Sequence, residues 1–179
     1  MYSYNFHFFA MNHLTASLPA RNHTVAFTGH RTYDGVADDE LRQIVRYLYE
    51  RGMSRFLCGM AWGFDLAAGR IVAELKREGA DVELVAVEPF AEFRAMFSGD
   101  DIALYDEVLR AADERVVVAE NDKMAYMRRN DYLVDNAAVV VAWWDGKPRS
   151  GTAYTVKRAR KKRLEIVNLF PQPQLELGF

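Results

Sequence analysis

The sequence predicts a three-layer α/β sandwich, with a mainly parallel sheet of about six strands between two layers of helices. Six short apolar segments of high strand propensity alternate with longer segments whose apolar residues recur at helical spacing. The links are short, and this alternation is typical of βαβ units with parallel strands and right-handed crossovers. The 179 residues, half of them apolar, are enough for one well-buried domain.

The predicted strands occupy residues 24–28, 54–58, 82–87, 115–119, 137–143 and 164–169. The predicted helices occupy residues 38–51, 65–77, 100–112, 124–136 and 150–162. The first helix starts with three acidic residues, which suit the positive end of its dipole, and Gly52 and Gly79 follow the first two helices. We find no linker and no internal repeat, so residues 23–170 are assigned to one domain.

The two termini are expected to lie outside this domain. In residues 1–22 the aromatic residues Tyr2, Tyr4, Phe6 and Phe8 alternate with polar ones, which is the period of a strand. The segment is therefore an extra edge strand, an arm that packs on the second subunit of a homodimer, or a partly ordered leader. Residues 171–179 form a proline-containing tail, which we expect to be flexible.

Composition excludes several classes of protein. The net charge of −2 gives no global field that would favour nucleic acid. Cys58 is the one cysteine, and the four histidines form no metal-binding pair, so we expect neither a disulfide nor a metal site. No apolar run reaches membrane-spanning length, and the N-terminal segment lacks the features of a signal peptide, so we expect a cytoplasmic protein.

Glycines and polar residues follow the predicted strands. Ligands of open parallel sheets bind beyond the carboxyl ends of the strands, where glycine lets a ligand approach the backbone and helix N-termini favour anions. The candidate ligand-binding residues at these ends are Thr28, Gly29, His30, Arg31, Gly59, Gly63, Asp65, Glu88, Trp144, Asp145, Gly146, Ser150, Gly151 and Thr152. No catalytic residue is assigned.

Several of these candidates also have a purely structural explanation. The sequence favours Asp65 as the N-cap of the following helix, and residues 150–152 are equally a cap and turn. Glu88 is either a ribose ligand or a solvated carboxylate. Trp143 and Trp144 point to opposite faces of a strand, so one of them is expected in the core. The other either stacks on a base or is also structural, and the sequence favours a wholly structural pair. His30 and Arg31 are the strongest signal, because neither has an apolar role after a core strand.

Four segments resemble the YpsA-like branch of the SLOG superfamily, the Rossmann-like group that also holds the lonely-guy phosphoribohydrolases and the DprA proteins. They are residues 27–31 (FTGHR), 58–65 (CGMAWGFD), 129–135 (RNDYLVD) and 142–152 (AWWDGKPRSGT), in the family's order and spacing. The resemblance implies a Rossmann-like fold and adds Arg129 and Asn130 to the site. It also implies a nucleotide-derived small-molecule ligand, related to NAD or ADP-ribose. We expect no resident cofactor.

The chain departs from the lonely-guy enzymes at their PGGxGTxxE motif. Thr155 occupies the position of the catalytic glutamate, and Arg149-Ser150 replaces the double glycine. Cleavage of an N-glycosidic bond needs a carboxylate near the sugar, so phosphoribohydrolase chemistry remains an alternative in which Asp65 or Glu88 replaces that glutamate. Whether the protein is an enzyme stays open.

Two further partners are considered. The basic run at residues 157–163 fits DNA processing, but cations in the last turns of a helix suit its dipole, and the sequence favours that explanation over nucleic acid. The tail residues Gln174, Leu175, Leu177 and Phe179 resemble the QLxLxF peptide that binds the bacterial sliding clamp. A clamp-binding tail is therefore a second alternative.

Overall fold

The computed structural model describes residues 20–171. The predicted arm or extra strand lies outside the described residues, except for its last few residues, which enter a 3₁₀ turn at Ala20–His23. The clamp-like peptide at residues 174–179 also lies outside the described residues.

The described chain forms one six-stranded sheet in which every strand pair is parallel. The strands are β1 Thr24–Gly29, β2 Arg55–Cys58, β3 Glu83–Glu88, β4 Glu114–Val117, β5 Val139–Trp143 and β6 Glu165–Asn168, in the spatial order β4-β3-β2-β1-β5-β6. The predicted fold class is confirmed, and the predicted strand bounds lie within two residues of the observed ones.

Within residues 20–171, five α-helices connect the six parallel strands. They are α1 Asp38–Glu50, α2 Phe64–Arg77, α3 Asp100–Ala111, α4 Ala125–Asp135 and α5 Gly151–Lys161, and a second 3₁₀ turn spans Phe93–Met96. None of the helices in residues 20–171 is both long enough and apolar enough to cross a membrane.

The helices cover the two faces of the sheet, as the strand period of two requires. On β1, Val25 and Phe27 pack into the large core formed with α1, α2 and α3. Ala26, between them, faces the other side and packs with Leu133 of α4. Because β1 and β5 are buried on both faces, β5 is entirely apolar, and the only polar side chains of β1 are two buried threonines.

The site is positioned by the order of the strands. From β1 the chain first builds outward through β2, β3 and β4, and then returns to place β5 and β6 on the other side of β1. The loops that follow β1 and β5 therefore lead to opposite faces and leave a crevice between them. In open α/β sheets this switch in direction marks the ligand-binding position.

Candidate functional site

A cavity of about 260 Å³ lies at this crevice, and we call it the crevice cavity. Its lining is Thr28, Gly29, His30, Arg31, Ala61, Asp65, Tyr126, Arg129, Asn130, Ser150, Gly151 and Thr152. The structure thus brings together residues from four separate parts of the chain. Three of these parts follow strands, and the fourth lies on α4, where the family resemblance adds Arg129 and Asn130.

The β1–α1 loop supplies one side of the cavity. His30 Nε2 lies 3.0 Å from Asp145 Oδ1, which ties this loop to the loop after β5. Hydrogen bonds from Lys147, and more weakly from His30, lower the pKa of Asp145 to about 2. Asp145 does not line the crevice cavity; it orients a residue that does.

Arg31 places a positive charge at the rim. Its guanidinium lies 4.0 Å from the centre of the Trp62 ring and 5.6 Å from that of Tyr126, so aromatic stacking holds it in place. No carboxylate of the described residues lies within ion-pair distance of it. The charge of Arg31 is therefore available to an anion.

A buried ion pair forms the floor of the cavity. Asp65 and Arg129 are 4% and 6% exposed, and Arg129 Nη1 lies 3.5 Å from Asp65 Oδ2. Arg129 also donates to the carbonyl of Gly59 and, through Nε at 2.9 Å, to Asn130 Oδ1. Burial lowers the pKa of Arg129, but a guanidinium keeps its proton at neutral pH.

The position of Asp65 corrects an expectation from the sequence. The helix N-cap is Gly63, so Asp65 lies in the first turn of α2 and caps nothing with its side chain. Its carboxylate instead accepts hydrogen bonds from the backbone N–H groups of Ala61 and Gly29. Burial raises its pKa to about 6, although these bonds and Arg129 favour the ionised form.

This shift makes the contribution of Asp65 to stability depend on pH. The pKa is about 6 in the folded protein against an ordinary value of 3.8, so the folded protein binds the proton more tightly than the unfolded chain. The contribution is complete below pH 3.8 and is lost as the pH rises to about 6.

We therefore expect the free energy of unfolding of the wild type, relative to Asp65→Asn, to fall by about 3 kcal/mol over this range. Urea unfolding of both proteins at several pH values measures the difference. A difference that does not change with pH would mean that Asp65 titrates normally.

The N-terminus of α5 forms the opposite wall. Ser150 Oγ accepts from the N–H of Ala153 at 3.0 Å, so the predicted cap is present. The first N–H groups of a helix have no intrahelical acceptor, and here they belong to Gly151 and Thr152, both of which line the cavity. Such a terminus favours a phosphate or a carboxylate.

Thr155, at the position of the lonely-guy glutamate, takes no part in the cavity. It is fully buried, and its hydroxyl donates to the carbonyl of Gly151 at 3.0 Å. The wall formed by α5 therefore offers no carboxylate. Among the described residues, Asp65 is the acidic side chain that lines the crevice cavity.

Two of the predicted glycines support the cavity from behind. A Cβ at Gly59 would lie 2.6 Å from both Arg129 Nη1 and Asp65 Oδ2, so only glycine leaves room for the buried pair. Gly63 has φ +78°, and a Cβ there would lie 2.6 Å from the carbonyl oxygen of Arg31. Neither glycine lines the cavity.

The structure also keeps Glu88, Trp144 and Gly146 out of the cavity. Glu88 is fully buried and paired with Arg115 at 2.5 Å, so the solvated alternative is wrong, and burial raises its pKa. Trp144 donates from its ring nitrogen to the Lys147 carbonyl outside the cavity, while Trp143 is a core residue, as one of the pair was expected to be.

Sequence reasoning missed two lining residues, Ala61 and Tyr126. Ala61 lies inside the 58–65 segment, but its small apolar side chain gives no signal for ligand binding. Tyr126 precedes Arg129 by three positions on α4, so the two side chains share a helix face, and this spacing could have identified it. No group of three or more His, Cys, Asp or Glu side chains in residues 20–171 is arranged to hold a metal ion.

The fold and the cavity define a class: a Rossmann-like α/β protein whose strand-end crevice is suited to an anion. Within that class, residues 25–169 match the YpsA family, described as the YspA SLOG family, and the chain belongs to it.

Two bacterial proteins are similar to the chain over most of its length. The uncharacterized SPbeta prophage-derived protein YoqJ of Bacillus subtilis is 30% identical over 155 residues, which cover 78% of this chain and 90% of YoqJ. UPF0398 protein lwe1908 of Listeria welshimeri is 23% identical over 153 residues, which cover 76% of this chain and 83% of lwe1908.

A solved structure of DNA processing protein A from Helicobacter pylori, described for its single-stranded DNA binding mode, has the same fold. It aligns with a TM-score of 0.61 at 20% identity and covers 86% of this chain and 67% of that one.

Proposed function

We propose that the protein binds a nucleotide-derived small molecule, with a phosphate seated in the crevice cavity. The observation that carries this proposal is that the N-terminus of α5 and the guanidinium of Arg31, which has no carboxylate partner among the described residues, face the same cavity. Each of them alone favours an anion, and together they favour a doubly charged one.

The size and the other polar groups of the cavity narrow the ligand. A volume of about 260 Å³ is slightly below the usual range for small-molecule sites, so it encloses a phosphate and a sugar rather than a whole dinucleotide. Thr28, Asp65 and Asn130 offer a hydroxyl, a carboxylate and an amide to the sugar hydroxyls. This set fits a ligand related to NAD or ADP-ribose.

Thermal unfolding with a panel of AMP, ADP-ribose, NAD and inorganic phosphate tests the proposal. A ligand present at about one hundred times its Kd adds about 2.7 kcal/mol of stability. For a domain of this length we expect an increase in Tm of about 5–10 °C. No shift with any member of the panel at millimolar concentration would contradict the proposal.

Arg31→Ala is expected to weaken binding of the same ligand by at least about tenfold, since a hydrogen bond to a charged group is worth about 1.5–3 kcal/mol. Isothermal titration calorimetry measures the change. Lys157→Ala is the matched control, because it also removes one positive charge but from an exposed face of α5. Equal losses in the two variants would mean that only the net charge matters.

A hydrolase for nucleoside monophosphates is a second candidate, favoured by the carboxyl of Asp65. Its pKa of about 6 is close to the value that suits a group exchanging protons at neutral pH. Release of free base from nucleoside monophosphates is the assay. Turnover that survives Asp65→Asn, in a variant shown to be folded, would exclude this role.

Single-stranded DNA is a further candidate, favoured by the likeness to DNA processing protein A. In the basic run, Arg158 and Lys162 are paired with Asp135, whereas Lys157, Lys161 and Arg163 have no ion-pair partner among the described residues. A salt-sensitive gel shift that is lost when these three become alanine would support DNA binding.

A further inference from the structure

A second cavity, of about 380 Å³, lies beside the crevice cavity, and we call it the side cavity. Its lining is Arg31, Tyr33, Asp34, Gly35, Asp38, Trp62, Gly63, Ala67, Arg70, Asp101 and Leu104. We propose that it holds the second half of a two-part ligand, a nucleoside or sugar joined through a diphosphate to the group in the crevice cavity. This inference rests on the proposed function and deepens it.

Arg31 joins the two cavities. In the described part of the chain it is the one residue that lines both. The two rings against its guanidinium belong to different cavities, because Tyr126 lines the crevice cavity and Trp62 lines the side cavity. A diphosphate that passes from one cavity to the other would therefore meet this cation at its midpoint.

The loop that carries His30 and Arg31 packs tightly against Gly63. Gly63, which lines the side cavity, packs so closely behind the loop that a Cβ would lie 2.6 and 2.7 Å from the carbonyl oxygens of Arg31 and His30. These carbonyls cannot move toward Gly63 without a clash. A ligand that occupied both cavities would accordingly pass the side chain of Arg31, which lines each of them.

The side cavity has a different chemistry from the crevice cavity. Asp38 is already engaged, because it accepts from Tyr33 Oη at 2.7 Å and from Arg70 Nη2 at 2.5 Å. The exposed carboxylate of Asp34 accepts only a backbone N–H, from Val36 at 3.3 Å, and Asp101 is also exposed. Free carboxylates repel a phosphate but accept hydrogen bonds from sugar hydroxyls and amino groups.

The aromatic residues of the side cavity also favour a sugar or a base. Tyr33 and Trp62 line the side cavity and give it apolar surface against which a sugar or base can pack. The charge of Arg70 is paired with Asp38 at 2.5 Å and lies 3.9 Å from Glu74, whereas Arg31 has no carboxylate partner among the described residues. Arg31 is therefore the cation whose charge is available to a ligand at this cavity. The two cavities together thus fit one ligand with a charged middle and uncharged, hydroxyl-rich ends.

The test compares AMP with ADP-ribose by calorimetry on the full chain. The wild type is expected to bind ADP-ribose at least about tenfold more tightly than AMP, because only ADP-ribose reaches both cavities. The double variant Asp34→Ala/Asp101→Ala removes the free carboxylates of the side cavity. It is expected to lose most of this advantage while its affinity for AMP changes by less than about threefold.

The matched control is Asp81→Ala/Glu120→Ala, which removes two exposed carboxylates from positions that line neither cavity. It is expected to keep the wild-type preference. Equal affinity of the wild type for AMP and ADP-ribose, or a variant that weakens both ligands alike, would overturn the inference and leave the proposed function standing. Failure of both ligands to bind the wild type would overturn the two together.

Discussion

Arg129→Met is expected to lower the free energy of unfolding at pH 7 by about 3–5 kcal/mol, because it leaves the carboxylate of Asp65 buried without its counter-charge. Both side chains are almost inaccessible to water, and the guanidinium also bonds to Gly59 and Asn130. Methionine approximates the length of the side chain, so the loss measures the charge and hydrogen bonds more than the volume. Urea unfolding measures it.

Two further variants define the cause of this loss. Arg128→Met changes the neighbouring arginine, whose side chain is 48% exposed and paired with Asp122. This variant is expected to lower the free energy of unfolding by less than about 1 kcal/mol. In the double variant Asp65→Asn/Arg129→Met the loss should be smaller than in Arg129→Met alone. The cost of Arg129→Met should also shrink below about pH 6, where Asp65 takes up a proton. An equal cost at pH 5 and pH 8 would contradict the electrostatic explanation.

Gly63→Ala is expected to destabilise the protein by about 3 kcal/mol and to abolish ligand binding in the crevice cavity. Gly63 has φ +78° and ψ −125°, a conformation that is nearly restricted to glycine. The added methyl group would also lie 2.6 Å from the Arg31 carbonyl oxygen, so the loop that carries His30 and Arg31 would have to move.

Gly146→Ala separates the two effects. Gly146 also has a left-handed φ, of +83°, but a Cβ there would meet nothing within 4 Å. The Gly146→Ala variant is expected to lower the free energy of unfolding by about 1 kcal/mol through backbone strain and to leave ligand binding unchanged. Thermal unfolding and calorimetry of the two variants measure both quantities. If Gly146→Ala were as damaging as Gly63→Ala, the packing of the β1–α1 loop would not be the cause.

The fold could be predicted from the sequence because each element carries its own signal. β1 and β5 are short runs of buried apolar residues, and the acidic first turn and Gly52 mark the ends of α1. Parallel strands share one edge for their carboxyl ends, so the convergence of Thr28, His30 and Gly151 also follows from the strand assignments. The YpsA-like resemblance, which implied the same fold, agrees with the family that the chain matches.

The direction of individual side chains could not be predicted in the same way. Glu88 ends β3 as Thr28 comes near the end of β1, yet it is buried away from the cavity because its partner, Arg115, stands on the neighbouring strand β4. Pairing between strands of this kind depends on a register that the sequence does not specify. Similarly, an aspartate near a helix start is typical of an N-cap. The structure instead places the N-cap at Gly63 and pairs the buried Asp65 with Arg129 of α4, a contact between distant segments that the local sequence does not specify.

The most direct test of the central claim is a crystal structure of the protein with ADP-ribose. We expect a phosphate oxygen within about 3.2 Å of the Gly151 or Thr152 nitrogen, with the Arg31 guanidinium on the same phosphate or on the one next to it. A ligand that lies on another surface, or whose phosphates face solvent while the crevice cavity holds none of it, would show that the crevice is not the binding site.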